Sequence, residues 1–478
     1  MAATRIRRNV WTLAPWDATL IWYARAIAVM QARPITDPAS WRFQAAIHGF
    51  GDATGPGPLP APAIRNRFWN QCQHGSWFFL PWHRMYLLYF EQIVADAVVS
   101  LGGPAEWSLP YWNYSDATNP NARRLPPAFR EPSLPDGTAN PLRVSSRDRG
   151  NSGGLVATPD FVDVSCLDNS SFAAQPAGGD MGFGGPQTLF EHGGGDIGEL
   201  ERTPHGAMHV AVGGFMGAFE TAALDPIFWL HHANIDRLWT VWRQMDPTRV
   251  NPANTQWLTG VSFEFNDGRG GIVSHTSSEM VESTAAPLNY QYDDLSDPRA
   301  GGLESVPVRR PPVSDRVPEM IGATDKPVVL RGRTAETSLA VRAPAGPGLE
   351  ALESATPPRI YLNVENITGE GKAASYRVYI NLPEGALPED HSERYAGLLP
   401  MFGVAEATRN DQQRSGSGLR YSFEISAIVQ ALSARNEWDP ANLRLTFVPV
   451  EYGAEEGLES AAPATTPVQV GRVSLYLS

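Results

Sequence analysis

The chemistry open to this sequence is concentrated in its ten histidines: His48, His74, His83, His192, His205, His209, His231, His232, His275 and His391. His205 and His209 stand four apart in TPHGAMHVAVGG, so on a helix they leave one face and can bind one metal ion. His231 and His232 fall early in a helix that the sequence starts at Asp225, and they complete one set. His48, at the end of one expected helix, joins His74 and His83 around the next to give a second set. A lone histidine is usually a core or helix-end imidazole with a satisfied hydrogen bond, and one HxxxH pair is weak evidence. Two sets of three, with no bridging carboxylate inside the motifs, point to two metal ions. Neutral imidazole suits copper, zinc, iron or nickel, whereas the di-iron carboxylate bundle needs Glu and ExxH pairs that are absent here. All-imidazole ligation favours copper and leaves zinc open.

The elements that must carry these residues can be read from periodicity. Leu20, Tyr23, Ala24, Ile27 and Met30 recur at helical spacing, and a second short helix is expected from Asp37 to Ile47. The Gly- and Pro-rich stretch GFGDATGPGPLPAPAI then leads to a long buried helix. Pro81 suits its first turn, His83, Leu87, Phe90 and Val94 share one face, and Gly102-Gly103 stops it. Residues 115 to 200 read as long loops over a scaffold. Helical pattern returns in DPIFWLHHANIDRLWTVWRQM, with Asp225 as N-cap and Pro226 as N1. Beyond a Pro-rich, charged connector the period changes to two, as in RIYLNVENI, YRVYINL, LRLTFV and VSLYL, which is a β-sandwich signature. The expected organisation is a catalytic domain at 1–294, a linker at 295–322 and a β-sandwich at 323–478. No internal repeat is visible.

With 478 residues, 42% of them apolar and 19% charged, the chain can bury a large core and is not a disordered protein. Its 38 Lys and Arg against 51 Asp and Glu give a net charge of -13, the opposite of a nucleic-acid footprint. No apolar run approaches the length of a membrane span, and the mean hydropathy is -0.26. Nucleic acid and membrane are therefore not expected partners. Two cysteines, Cys72 and Cys166, are too few for a disulfide scaffold. The N-terminus shows Arg7-Arg8 but no uninterrupted apolar segment before Asp17, so a cytoplasmic location is expected. Oligomeric state is not encoded legibly.

At the motifs themselves the sequence resembles a known family. HGSWFFLPWHRMYLLYFE is similar to the CuA motif, and PHGAMHV followed by DPIFWLHHANIDRLW to the CuB motif, of type 3 copper proteins: tyrosinases, catechol oxidases (polyphenol oxidases) and molluscan-type haemocyanins. The resemblance implies a mainly α catalytic domain, a four-helix bundle holding a dicopper site, followed by an all-β sandwich that shields it. It implies that His48, His74 and His83 hold CuA and that His205, His209 and His232 hold CuB, with His231 as a neighbour. It further implies a thioether from Cys72 to His74, a gate at Phe219, and a carboxylate at Glu201 that helps accept a phenol proton. Cys166 has no such partner. Asp236 shares a helix face with His232 and could orient the ligand shell. Gly206, after His205, departs from the Asn found in strong monophenolases.

Tyr290 and Tyr292 resemble the Y-x-Y motif that closes such a domain against an N-terminal arginine, here Arg5 or Arg8. In the family a bulky residue of the C-terminal domain plugs the site; Phe402 and Tyr452 are the candidates. By the resemblance, the function is oxidation of small o-diphenols to o-quinones with two copper ions and O2 as co-substrate. Ortho-hydroxylation of monophenols is a further possibility, as is latency while the C-terminal domain is attached. The alternatives are a haemocyanin-like oxygen carrier and, more distantly, a dizinc hydrolase.

Overall fold

A computed structural model describes residues 4–51, 55–175, 178–300, 317–342, 358–411, 415–453, 458–460 and 466–478. Among the described residues, seven α-helices build the N-terminal unit: α1 (Ala18–Ala32), α2 (Trp41–His48), α3 (Pro62–Phe68), α4 (Phe79–Ser100), α5 (Pro127–Arg130), α6 (Ala207–Val212) and α7 (Ile227–Met245). Asp17 caps α1 by accepting from the Thr19 amide at 2.8 Å. The second helix starts at Trp41, four residues later than its sequence pattern suggested. Asp37 instead accepts from the Ala39 amide in a local turn, and Ser40 supplies the cap by accepting from Phe43. Asp225 does bond to the Ile227 amide, at 3.1 Å, while its carboxylate also takes a buried two-point contact from Arg147.

Helices α1, α2, α4 and α7 pack around one aromatic core in which Phe90 of α4 lies flat against Trp229 of α7. The long loops expected between residues 115 and 200 hold only short helical turns, yet many of their side chains, such as Phe161, Phe172 and Phe183, are buried against that bundle.

Strand β1 (Arg5–Arg7) runs parallel to β4 (Tyr290–Tyr292), while β2 (Ser262–Asn266) and β3 (Ile272–Thr276) form a hairpin. The C-terminal unit contains β5 (Glu319–Ala323), β6 (Val328–Leu330), β7 (Ala335–Leu339), β8 (Ile360–Gly369), β9 (Tyr376–Ile380), β10 (Tyr395–Leu399), β11 (Leu419–Glu424), β12 (Leu443–Pro449) and β13 (Val468–Leu477). Two short helices, α8 (Val404–Thr408) and α9 (Ser426–Ala434), connect them. One sheet has the order β10-β9-β12-β7, the other β11-β8-β13-β5 with β6 also on β13. Leu362, Val364, Val378, Ile380, Leu445, Phe447, Val473 and Leu475 fill the space between them, as their alternation predicts. Strand β5 begins inside the stretch expected to be linker, because Glu319 and Met320 pair with Leu477 and Tyr476. Most of the remaining linker lies outside the described residues.

Arg5 stands opposite Tyr290 in the strand pairing, but the guanidinium that engages the Y-x-Y motif is that of Arg7, not of Arg5 or Arg8. In the β1–β4 register Arg7 stands opposite Tyr292, and it is fully buried. Its guanidinium lies 3.7 Å over the Tyr290 ring, donates to the Tyr292 hydroxyl at 3.1 Å and pairs with Glu91 of α4 at 2.6 Å. Asp236 of α7 is the hub of this network. It accepts from Arg84 at 2.5 Å, from Arg7 at 3.3 Å, and from both tyrosine hydroxyls at 2.5 Å. Burial alone would raise the Asp236 pKa, but Arg84, Arg7 and the two hydroxyls together hold it below the ordinary 3.8. Its stabilising contribution is therefore complete above about pH 4 and is lost as pH falls through the folded value. Asp236→Asn should destabilise the chain by about 3–5 kcal/mol at pH 7, because it strands buried arginine charge. Urea unfolding at pH 7 and pH 3 checks this: the gap between wild type and variant should narrow in acid, and an unchanged gap would refute the ion-pair account.

Candidate metal centre

The two histidine sets converge. His48, His74 and His83 form one fully buried cluster with ring nitrogens within 4.8 Å of one another, and His205, His209, His231 and His232 form the other. His48 closes α2, His83 lies in the first turns of α4, His209 is on α6 and His232 on α7. His205 sits in a wide, irregular helical turn, Glu201–Gly206, that runs into α6. His74 precedes α4 in a loop whose next residue, Gly75 (φ +62°), lies where a Cβ would come within 2.7 Å of Gly194 backbone. Only glycine fits there without moving the loop. The clusters are adjacent: His83 stacks on His232 with ring centres 4.5 Å apart and planes 12° from parallel.

Four imidazoles are pinned in the same way. The Nδ1 of His48 faces the Phe219 carbonyl at 3.0 Å, that of His83 the Phe79 carbonyl at 2.8 Å, that of His205 the Glu201 carbonyl at 3.2 Å and that of His209 the Met216 carbonyl at 2.7 Å. A carbonyl can only accept, so each Nδ1 carries the proton and each Nε2 presents a lone pair. The Nε2 atoms of His48, His83 and His205 are buried without a hydrogen-bond partner. Those of His209 and His232 approach to 3.4 Å. Burial holds every one of these histidines neutral, with His48 lowered to about 3, and neighbouring imidazoles push His74, His205, His209 and His232 further the same way. Neutral, inward-facing and otherwise unsatisfied Nε2 atoms fit a pair of imidazole-bound metal ions.

Around the clusters the surface is aromatic. Phe79, Phe228 and Phe219 pack tilted against the ligand rings, Phe219 lying 4.3 Å from the His74 ring. Glu201 is buried and accepts from the Gly75 amide at 3.0 Å; burial, only partly offset by that hydrogen bond, pushes its pKa up to about 8. Phe402, from the loop between β10 and α8, stacks on His209 with centroids 4.0 Å apart and planes 9° from parallel. It also contacts Phe219 at 4.7 Å. Tyr452, the other expected plug, is elsewhere, with the Arg149 guanidinium 3.5 Å over its ring and Phe161 at its edge.

Asp236 does not orient the ligand shell. Its carboxylate is spent on Arg7, Arg84 and the two tyrosines, and His232 Nδ1 has no hydrogen-bond partner among the described residues. Cys72 is buried, in no disulfide, with Sγ 3.1 Å from Nδ1 of His192. His192, unplaced by sequence reasoning because no partner stands at helical spacing from it, also faces the Cys72 carbonyl at 2.9 Å. Tyr114 is a second residue that reasoning missed; its hydroxyl lies 3.1 Å from His231 Nδ1.

Fold and site together define a protein with a paired-metal, all-imidazole centre in a helical core, followed by a β-rich unit. Residues 38–245 match the common central domain of tyrosinase, and residues 317–478 match a domain of unknown function, DUF7868. Tyrosinase HcTyr1 of Hahella sp. (strain CCB-MM4) is 36% identical over 493 residues, covering 99% of each chain. The latent-form chloroplastic polyphenol oxidase of Prunus armeniaca is 26% identical, covering 91% of this chain and 71% of that one. Among solved structures, latent apple tyrosinase superposes with a TM-score of 0.62 at 22% identity, covering 100% of this chain and 98% of that one. The chain belongs to the tyrosinase family.

Proposed function

We propose that this chain oxidises small o-diphenols to o-quinones with O2 as co-substrate, and that its C-terminal unit holds it latent. The observation that carries both parts is Phe402. An aromatic ring already lies flat over His209, in the place a substrate ring would take, and it comes from the other unit. Bound copper supplies the redox chemistry toward O2; the chain's own residues do the rest. His48, His74 and His83 hold one ion and His205, His209 and His232 the other, their rings fixed by backbone carbonyls. Phe79, Phe219 and Phe228 keep water from the rings. Phe219 narrows the side of His74, so substrate enters over His209.

Glu201 is the proton acceptor in this reading. It touches both halves of the site, through the Gly75 amide beside His74 and through its own carbonyl on His205. Burial makes the ionised Glu201 carboxylate a stronger proton acceptor toward a phenol than a solvated carboxylate. Gly206 offers no side chain to assist it, and a Cβ there would lie 3.2 Å from the Glu201 carbonyl and 3.7 Å from Phe402. Diphenol oxidation is therefore the main activity, with hydroxylation of monophenols weaker. A thioether between Cys72 and His74 belongs to the same reading. His74 has neither ring nitrogen hydrogen-bonded, so a covalent tether would supply the anchor that a carbonyl gives to four of the other ligands.

In the full-length, copper-loaded chain, Phe402→Ala should raise kcat/KM for 4-methylcatechol at least tenfold, about the effect of freeing one stacked ring. An unchanged rate would overturn the latency assignment, and absence of oxidation by either protein would overturn the oxidase reading. Adding Glu201→Gln to that variant should lower the 4-methylphenol rate by a larger factor than the 4-methylcatechol rate; equal losses would remove Glu201 from proton transfer. Intact mass of the copper-matured chain should be two hydrogens below the sequence mass, and Cys72→Ser should abolish the deficit. A freely alkylated Cys72 after unfolding would exclude the bond.

A further inference from the structure

Ion pairs between the two units share one polarity. Among the described residues five such pairs cross: Asp148 with Lys372, Asp160 with Arg377, Asp180 with Arg359, Asp196 with Arg420, and Glu220 with Arg409. In every one the carboxylate belongs to the copper-binding unit and the cation to the β-rich unit. Arg149 and Arg202 of the copper-binding unit instead lie over the rings of Tyr452 and Phe423. Glu459 of the β-rich unit accepts backbone amides of Gly150, Ser152 and Gly154, and Glu406 and Glu451 of that unit line the junction as well.

Two of these pairs flank the pocket. Glu220 directly follows Phe219, whose ring lies over His74, and meets Arg409 at 2.8 Å. Asp148 packs so closely on Gly213, four residues after His209, that a Cβ there would collide with its carboxylate. A cavity of about 550 Å³ lies at this junction, walled by Gly213, Gly217 and Glu220 on one side and by Lys372, Gly403 and Arg409 on the other. The segment that puts Phe402 on His209 thus also puts a cation, Arg409, on a carboxylate at the mouth. An aromatic ring in the pocket with a positive charge at its rim is the layout of a phenol bearing an alkylammonium group.

We infer that the mouth of the copper pocket, once uncovered, selects phenols carrying a positive charge over those carrying a carboxylate, and that Glu220 is the specificity-determining residue whose place is kept by Arg409. Arg149, hydrogen-bonded to the Val210 and Ala211 carbonyls, keeps its positive charge on this face and Lys372 pairs with Asp148, so Glu220 is the carboxylate that carries the selectivity once Arg409 is removed. The inference rests on the reading that substrate binds where Phe402 now lies.

The test uses the full-length, copper-loaded Phe402→Ala/Arg409→Ala chain and two probes with no hydroxyl to oxidise, 2-phenylethylamine and 3-phenylpropionate, followed by calorimetry. The amine should bind about tenfold more tightly than the acid, attraction of one and repulsion of the other each contributing a few-fold. Adding Glu220→Gln should cut that ratio about fivefold, and raising the salt concentration should shrink it as well. A ratio that Glu220→Gln leaves unchanged, or a preference for the acid that Glu220→Gln does not alter, overturns the inference. Phe402→Leu/Arg409→Ala carries the same comparison where the alanine variant folds poorly. Because the probes are not substrates, an amine preference in a chain that fails to oxidise catechols would support the charge assignment while overturning the oxidase reading alone.

Discussion

Six buried imidazoles crowded together, five of them with a ring nitrogen that no hydrogen bond satisfies, are the constraint on which this structure depends. An unpaired buried acceptor is costly, and several together would ordinarily be avoided or hydrated. Here the backbone enforces them. Four Nδ1–H groups are tied to carbonyls, which fixes tautomer and orientation and leaves Nε2 facing inward, while burial keeps each ring neutral. Metal binding removes the penalty that folding has accumulated, so copper affinity and the stability of the helical core are coupled.

Helices α4 and α7 carry His83 and His232, and the stacking of those two rings requires the helices to hold one separation. The buried cluster of Arg84, Asp236, Arg7 and Glu91 does this, with Tyr290 and Tyr292 closing it. Strand β1 is thereby part of the metal site's support although it contributes no ligand. A charged network so deeply buried stabilises less than its number of contacts suggests, but it is intolerant of losing one partner. Its value lies in registering the N-terminal strand, α4 and α7 against one another.

Much of the site was legible because its spacing is helical. HxxxH on one face and a His early in a helix begun by Asp-Pro are patterns that periodicity reveals, and the period of two after residue 358 announced the sandwich. Other features depend on tertiary pairing that no local pattern encodes. Arg5, Arg7 and Arg8 are equivalent in composition; strand alternation puts Arg5 and Arg7 on one face, and only the deeper burial of Arg7, opposite Tyr292 and against Glu91 of α4, selects it. Asp236 shares a helix face with His232, but four donors from three other segments claim it first. Phe402 and Tyr452 are both aromatic loop residues in sequence; which one meets a histidine is decided by how the two units dock, with Leu398, Phe402 and Val450 joining the copper-binding unit's core.

The central claim is that the inward Nε2 atoms grip two copper ions side by side. Anomalous scattering at the copper edge, from crystals of the copper-loaded chain, tests it most directly. Two peaks are predicted, one within about 2 Å of Nε2 of His48 and His83 and bonded also to His74, the other similarly placed against His205, His209 and His232. A single peak, or ions bound away from these six rings, would contradict the account.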